Sequence, residues 1–245
     1  MTIFSIEIWW VTLAPTWYWL MYALSFLLWL VLIRREFSEK NTDTLFFATI
    51  LWVIFWGRFG YVLFYNLGYF LENPLEALMP WKWGMSFHGW ALWVIMAWYL
   101  AAKKIQKPFL DVADKIVWIV PIGLFFGRIG NYINGELLGM AGYSWLWART
   151  INSISYFPTP LLEAFLEGFV LFLILIWRKK KIQYPGQVGV WFLGWYGAMR
   201  FVAEFFRDPD IQIGYIYSSW MTLGHVFSII MIVWAVILSY LLKKK

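Results

Sequence analysis

The sequence contains no cysteine and only two histidines, His88 and His225. The absence of cysteine excludes disulfides, thiolate metal sites and a cysteine nucleophile in this chain. Two histidines are too few for a multi-histidine centre, so no bound metal is expected. Charged residues are also scarce, at 14% of 245 residues, whereas soluble domains usually carry about 25%. The composition therefore argues against a water-soluble protein.

Apolar residues are abundant instead. Hydrophobic residues make up 62% of the chain, Trp occurs 20 times, and apolar runs exceed the roughly 20 residues that span a bilayer. We predict an all-α polytopic membrane protein with seven transmembrane helices. The predicted spans lie at about 16–33, 44–66, 86–102, 116–133, 160–177, 188–206 and 218–242. They form a single transmembrane domain, residues 1–245, with a small outer loop region at about 134–159.

The basic residues predict the orientation of these helices. Of the 20 lysines and arginines, 14 fall in the segments after the first, third, fifth and seventh spans. Cytoplasmic loops are enriched in Lys and Arg, so we expect the N-terminus outside and the C-terminus in the cytoplasm. The net charge of +6 is then explained by the topology. The basic loops should bind anionic membrane lipids weakly, and no nucleic-acid partner is expected.

Three arginines, Arg58, Arg128 and Arg200, lie inside predicted spans. An ionisable residue in hydrocarbon costs roughly 2.5 to 3.5 kcal/mol on insertion scales and usually lines a functional cavity. All three fall in the outer half of the membrane, with few acidic neighbours, and the guanidinium fork suits the phosphate of an outer-leaflet lipid. Two alternatives stay open. The polar residues lock helix packing, or Arg200 is neutralised by Glu204, four residues away on the same helix.

Other polar candidates lie near the same membrane edge. His88 begins the third span and is a candidate general base near neutral pH, or an ordinary interfacial histidine. Glu163 and Glu167 are four residues apart on the fifth helix, and Glu163, nearer the outer edge, is the better functional candidate. We interpret His225 as a packing or headgroup contact.

Four segments, 57–66, 84–89, 127–139 and 196–210, together resemble the bacterial prolipoprotein diacylglyceryl transferase family. The most specific reads Gly-Arg-Ile-Gly-Asn-Tyr-Ile-Asn-Gly-Glu-Leu-Leu-Gly at 127–139. The resemblance implies a seven-helix enzyme of the bacterial inner membrane, with its active site towards the outer leaflet and without a metal or organic cofactor. Such enzymes transfer the diacylglyceryl group of phosphatidylglycerol to the lipobox cysteine of a preprolipoprotein signal peptide and release glycerol phosphate.

The resemblance also implies roles for individual residues. The residues expected to be catalytic are His88, Arg128, Arg200 and Glu136. The residues expected to bind substrate are Arg128, Asn131, Gly139, Tyr18, Arg58, Glu163, Tyr196, Glu204 and Arg207. Arg128 looks like the arginine that binds phosphatidylglycerol. For the general base, His88 is the first choice, with Glu136 and Glu204 as alternatives.

Several positions depart from the family pattern. Thr16 stands where a histidine is usual, Trp90 replaces a glycine, and Met140 replaces a common arginine. At 157–163 only a proline, a leucine and the glutamate of a polar family motif are kept. One alternative is therefore a catalytically impaired or redesigned relative that keeps the fold and binds phosphatidylglycerol. A transporter is a third alternative, because polar residues in spans can line a pathway.

Overall fold

The computed structural model describes residues 6–8, 11–13, 16–65, 67–74, 87–144, 146–209 and 214–244. At 6–8, 11–13, 53–61, 63–65, 67 and 87–93 it describes the backbone alone. The helices of the described chain are α1 (Trp17–Ile33), α2 (Glu39–Tyr65), α3 (Leu67–Glu72), α4 (Phe87–Lys104), α5 (Phe109–Ile116), α6 (Val120–Asn134), α7 (Thr159–Glu163), α8 (Leu171–Arg178), α9 (Gln187–Glu204) and α10 (Leu223–Lys243). Two antiparallel hairpins pair β1 (Ile6–Ile8) with β2 (Val11–Leu13) and β3 (Arg149–Ile151) with β4 (Ile154–Tyr156).

The predicted spans and the observed helices agree in place. Each predicted span overlaps one of the longer helices or helical runs. The two hairpins lie outside the all-α prediction, because strands of three residues carry almost no periodic signal. The fourth helical run also begins earlier than predicted, since α5 and a 3₁₀ turn at Val117–Ile119 precede α6.

Two helices in the described part of the chain are long and apolar enough to cross a membrane, Thr159–Lys181 and Leu223–Lys243. Trp17–Ile33 is a shorter apolar helix. Seven crossings and their orientation stay predictions, as does the single-domain organisation. By internal contacts the chain forms two compact units, one of Ile33–Ala113 and one of Met1–Leu32 with Asp114–Lys245.

The smaller unit packs α2 against α4. Trp98 Nε1 donates to Thr49 Oγ1 at 2.9 Å, and the Thr49 hydroxyl donates to the Leu45 carbonyl oxygen at 2.7 Å. Trp98 and Thr49 are both buried. The indole N–H and the hydroxyl are thus satisfied inside the helix contact, as buried polar groups require.

The larger unit contains helices that approach closely at glycines. A Cβ at Gly197 on α9 would stand 3.0 Å from the Ser228 carbonyl oxygen on α10. A Cβ at Gly168 would stand 2.6 Å from the Cβ of Phe125 on α6. Small residues at such contacts let helix backbones approach, which is typical of helix packing in membranes.

The helix at Thr159–Lys181 is irregular in its middle. Its segment Ala164–Val170, between α7 and α8, is π-helical. Glu163 and Glu167, at and within this segment, are fully buried. π-Helical turns are rare and are frequently found at functional sites. The π-helical turn therefore lies where the carboxylates of Glu163 and Glu167 are buried.

Asp114 fixes the start of α9. Its Oδ2 accepts a hydrogen bond from the Gly186 N–H at 2.7 Å, and its Oδ1 accepts from the Val188 N–H at 2.8 Å. The first N–H groups of a helix have no partner within the helix. A carboxylate at this end satisfies two of them and complements the helix dipole.

Candidate active site

Six charged side chains of the larger unit form one group, which we call the arginine–glutamate cluster. Its members are Arg128, Glu163, Glu167, Arg200, Glu204 and Arg207. Arg128 projects from α6 towards the π-helical segment. Its Nη1 lies 3.1 Å from Glu163 Oε2, and its Nη2 lies 3.4 Å from Glu167 Oε2.

Glu163 is the residue that all three arginines share. Arg200 Nη1 pairs with Glu163 Oε1, and Arg207 Nη1 lies 3.8 Å from the same oxygen. Arg200 makes two further contacts. Its Nη1 lies 3.3 Å from Glu167 Oε1, and its Nη2 lies 2.5 Å from Glu204 Oε2. The cluster is therefore a connected network across α6, the end of α7, the π-helical segment, α9 and the residues that follow α9.

The cluster balances three guanidinium groups with three carboxylates. Its glutamate side chains are between 0% and 6% exposed, whereas its arginine side chains are between 12% and 17% exposed. A buried carboxylate without a cation would cost several kcal/mol, which accounts for the multiple pairings. The arginine side chains are therefore the more accessible members of the cluster.

The predictions for this cluster have different outcomes. Neutralisation of Arg200 by Glu204 is confirmed. The expectation of few acidic neighbours is wrong for Arg128 and Arg200, because Glu163 and Glu167 bridge them. Glu167, ranked below Glu163 from the sequence, is equally buried and contacts both arginines. Their four-residue spacing was the available signal, but spacing does not show which helix faces them.

A second polar group lies at the end of α6. The Tyr18 hydroxyl donates to Glu136 Oε2, and Asn131 Nδ2 donates to the Tyr18 oxygen. Asn131 Nδ2 also lies 3.4 Å from Glu136 Oε2. Gly130 makes room for the tyrosine, since a Cβ there would stand 3.0 Å from its ring. Asn131 follows Arg128 by three residues, so both polar groups share one face of α6.

Gly139 occupies a crowded position. A Cβ there would overlap the Phe206 carbonyl oxygen and Thr159 Oγ1, which are joined by a hydrogen bond of 2.7 Å. Gly139 also pairs with Arg207 in an isolated antiparallel bridge. The glycine thus sets the place of Arg207 beside the cluster. Its predicted contact with substrate stays a prediction.

Three other predicted residues are less closely defined. The Tyr196 phenol on α9 lies within electrostatic range of the arginine–glutamate cluster, and its ring stacks on Phe192 at 5.6 Å between centroids. His88 and Arg58 lie on α4 and α2, but their side chains are outside the described residues, so their roles stay predictions. In the part of the chain that the structure describes, no three His, Cys, Asp or Glu residues are placed to hold a metal ion.

Glu204 also contacts the start of α10. Thr222 Oγ1 donates to Glu204 Oε1 at 2.8 Å. Thr222 and His225 form a reciprocal cap of this helix, in which His225 Nδ1 accepts from the Thr222 N–H at 3.2 Å. Three aromatic rings surround the imidazole, those of Phe201, Phe205 and Trp220. Of the two interpretations of His225 from the sequence, the packing contact is confirmed.

The model of the prolipoprotein diacylglyceryl transferase family matches residues 5–241. The chain belongs to this family. A phosphatidylglycerol–prolipoprotein diacylglyceryl transferase of Hydrogenovibrio crunogenus is 46% identical over 200 residues, covering 80% of this chain and 75% of that protein. Proteins of the same name are 43% identical over 213 residues in Idiomarina loihiensis, with 86% and 79% covered, and 42% identical over 236 residues in Photobacterium profundum, with 92% and 88% covered. The resemblance found in the motifs is confirmed.

Two of the positions at which the resemblance implies a departure from the family pattern lie beside the site. Phe157 is 5% exposed and stacks on Phe206 at 5.0 Å between ring centroids. Met140 lines a cavity of about 80 Å³ together with Glu204 and Arg207. In this member of the family, an apolar side chain therefore borders the cluster at the Met140 position.

Proposed function

We propose that this protein transfers the diacylglyceryl group of phosphatidylglycerol to the lipobox cysteine thiol of a preprolipoprotein and releases glycerol phosphate. The names of its relatives state the donor, the acceptor class and the transferred group. The structural observation that carries the proposal is the arginine–glutamate cluster, whose arginine side chains are 12% to 17% exposed while its glutamate side chains are nearly inaccessible. The arginines are thus the members of the cluster that a lipid phosphate can contact, and a guanidinium group can hold two phosphate oxygens in a planar fork.

The proposed reaction is a displacement at a glyceryl carbon. The cysteine sulfur forms a bond to that carbon while the bond from the carbon to the phosphate oxygen breaks. The electron pair of the broken bond leaves with glycerol phosphate, and the thiol proton passes to a base. We assign Arg128 as the anchor of the phosphate and Arg200 as the second group that stabilises its developing charge. Preorganised charges of this kind usually make the largest single contribution to catalysis.

The base is a choice among His88, Glu136 and Glu204. Glu204 accepts hydrogen bonds from two partners in the described structure, and Glu136 accepts two from the group at the end of α6. Each carboxylate keeps free lone pairs beside these contacts, but both are stabilised in the ionised form by them. We keep His88 as the first choice, because imidazole accepts protons near neutral pH. Tyr18 and Asn131 then position the substrate beside Arg128.

We also propose a location in the bacterial inner membrane, with seven crossings, the N-terminus outside and the site towards the outer leaflet. The segregation of 14 of the 20 basic residues to alternate loops supports this orientation. In this arrangement the end of α6 at Asn134 and the hairpin β3–β4 lie on the outer side. The preprolipoprotein and phosphatidylglycerol meet the protein at that side.

Glycerol phosphate release tests the function. Purified protein is mixed with phosphatidylglycerol vesicles and a synthetic lipobox peptide, and we expect release together with a peptide mass gain of one diacylglyceryl group. A peptide with serine in place of its cysteine and vesicles of phosphatidylethanolamine are the controls, and both should give no product. Folded protein that yields neither product would overturn the transferase proposal.

The departures at Thr16, Met140 and 157–163 favour a second function, phosphatidylglycerol binding without turnover. The same preparation distinguishes it from the first. Retention of phosphatidylglycerol without release of glycerol phosphate supports binding alone. In that case, restoring histidine at Thr16 and the polar motif at 157–163 should produce turnover.

A further inference from the structure

Thr222 and His225 are buried polar residues beside the arginine–glutamate cluster that the proposed chemistry does not use. Thr222 is 4% exposed and His225 is 0% exposed, and Glu204, which Thr222 contacts, is 5% exposed. Neither residue is among the predicted site residues. Their hydrogen bonds lead from the first turn of α10 to the cluster.

The Thr222 hydroxyl lies near two acceptors, Glu204 Oε1 at 2.8 Å and His225 Nδ1 at 3.1 Å. The carboxylate is the nearer and charged acceptor, so we assign the hydroxyl proton to Glu204 Oε1. The hydroxyl oxygen accepts from the His225 backbone N–H in the reciprocal cap. His225 Nδ1 in turn accepts from the Thr222 N–H at 3.2 Å. The hydrogen-bonded path from the imidazole to the cluster therefore runs through Thr222.

The second imidazole nitrogen of His225, Nε2, is surrounded by aromatic side chains. His225 Nε2 is buried without a hydrogen-bond partner among the described residues. The nearest rings are those of Phe205, at 4.5 Å, and Phe201, at 4.9 Å between centroids. Since Nδ1 accepts, the ring proton is on Nε2, among aromatic side chains. This packing holds the ring, and with it the cap, in one orientation.

Gly224 lets the carboxylate of Glu204 lie against the first turn of α10. A Cβ at Gly224 would overlap the carboxylate carbon and both of its oxygens. The positive end of a helix dipole favours a negative group at this position. The Glu204 carboxylate therefore lies against the start of α10. The Thr222 hydroxyl binds it there, in the space that Gly224 leaves because it has no side chain.

We propose that Thr222 and His225 are positioning residues for the transfer reaction. They fix the carboxylate of Glu204, whose Oε2 lies 2.5 Å from Arg200 Nη2, and thereby fix the guanidinium of Arg200. A rotated carboxylate would draw this nitrogen away from the phosphate oxygens. The inference rests on the proposed function, in which Arg200 stabilises the developing charge.

The test compares two variants of Thr222. Thr222→Val removes the hydroxyl at almost constant shape, and Thr222→Ser keeps it. We expect Thr222→Val to lower kcat about ten- to a hundredfold, as loss of an orienting partner does for metal ligands. KM for phosphatidylglycerol should change little, because Arg128 remains the anchor. Thr222→Ser should retain kcat, and equal losses in the two variants would overturn the proposal.

Variants of His225 test the cap. His225→Leu removes the acceptor for the Thr222 N–H, whereas His225→Gln supplies another acceptor of the kind that caps helices. We expect lower kcat in the leucine variant and recovery in the glutamine variant. Ser228→Ala is the matched control, since Ser228 is equally buried on α10 but donates only to the Gly224 carbonyl oxygen, at 2.7 Å. A loss of kcat in Ser228→Ala equal to that in Thr222→Val would show a general effect of helix stability and overturn the proposal.

A second readout separates this inference from the transferase proposal. The ¹⁵N signals of arginine side chains, with Arg200 assigned through Arg200→Lys, report the guanidinium environment whether or not turnover occurs. We expect the Arg200 signal to shift in Thr222→Val and not in Thr222→Ser. An unshifted signal in folded Thr222→Val overturns the positioning role. Absence of glycerol phosphate release from the unaltered protein overturns only the transferase function.

Discussion

Arg128 has two partners in the described structure, Glu163 at 3.1 Å and Glu167 at 3.4 Å. Its removal therefore mixes two effects. The buried carboxylates lose a cation, which costs several kcal/mol when a buried pair is broken, and a bound lipid loses its phosphate anchor. A useful experiment at the scale of the residue has to separate stability from binding.

We predict that Arg128→Ala loses most phosphatidylglycerol binding and glycerol phosphate release, by roughly 2 to 4 kcal/mol in transition-state free energy. Arg128→Lys should lose part of the activity, because an ammonium group keeps the charge but not the planar fork. Arg128→Ala with Glu167→Gln restores the charge balance, so it should regain thermal stability without regaining lipid affinity. Normal phosphatidylglycerol affinity in folded Arg128→Ala would show that the arginine only locks helix packing.

The sequence pointed to individual polar residues but not to most of their partners. The motif at 127–139 drew attention to Asn131 and Glu136, and the structure joins both to Tyr18, while their roles stay predictions. Glu167 was ranked too low because its importance comes from the helices that face it, and these lie more than 30 residues away in sequence. Charge pairs of that separation depend on helix packing, about which residue type and local spacing carry no information.

At the scale of the element, hydropathy located the helices but not their irregularities. Apolar composition predicts a span whether its turns are α-helical or π-helical, so the segment Ala164–Val170 has no signature in the sequence pattern. The close approach of Gly168 to Phe125 also has no signature in the sequence pattern. Glycines occur at contacts and at open positions alike, and only the packed structure distinguishes Gly168 from Gly123.

This distinction gives a prediction for two glycines. Gly168→Ala places a Cβ 2.6 Å from the Phe125 Cβ, and overpacking of this kind costs about 1 to 3 kcal/mol. Because the π-helical segment would move away from α6, the contacts of Glu163 and Glu167 with Arg128 should lengthen and transferase activity should fall. Gly123→Ala, with nothing within 4 Å of the new Cβ, is the control and should keep stability and activity. Equal melting temperatures for the two variants would contradict the close contact.

At the scale of the whole molecule, the distribution of charge is the basis for the proposed membrane orientation. Two helices satisfy the length and composition of a span in the described chain, while the other proposed crossings rest on the sequence pattern. Shorter or more polar helices cross membranes when they are covered by neighbouring helices, and composition alone does not reveal such coverage. Their orientation needs a direct measurement.

We predict that tags at the N-terminus and within 134–159 are accessible from the outer side of the inner membrane, and that tags at Lys179–Lys181 and the C-terminus are accessible only from the cytoplasm. The concentration of basic residues in alternate loops is the reason. Cysteine substitution and labelling with a membrane-impermeant reagent checks each position, and the absence of native cysteine removes background labelling. Labelling of a cysteine at Lys180 from outside would reverse the assignment.

The π-helical turn also bears on the history of the chain. Such a turn holds one residue more than an α-helical turn while the ends of the helix stay in place. Deleting one residue from Ala164–Val170 would therefore restore a regular α-helix and leave α7 and α8 where they are. The same deletion within α8, which has no wide turn, would rotate the rest of that helix by about 100°, since one turn holds 3.6 residues. Changes of length by one residue are thus expected to be tolerated in this segment and not in the regular helices beside it.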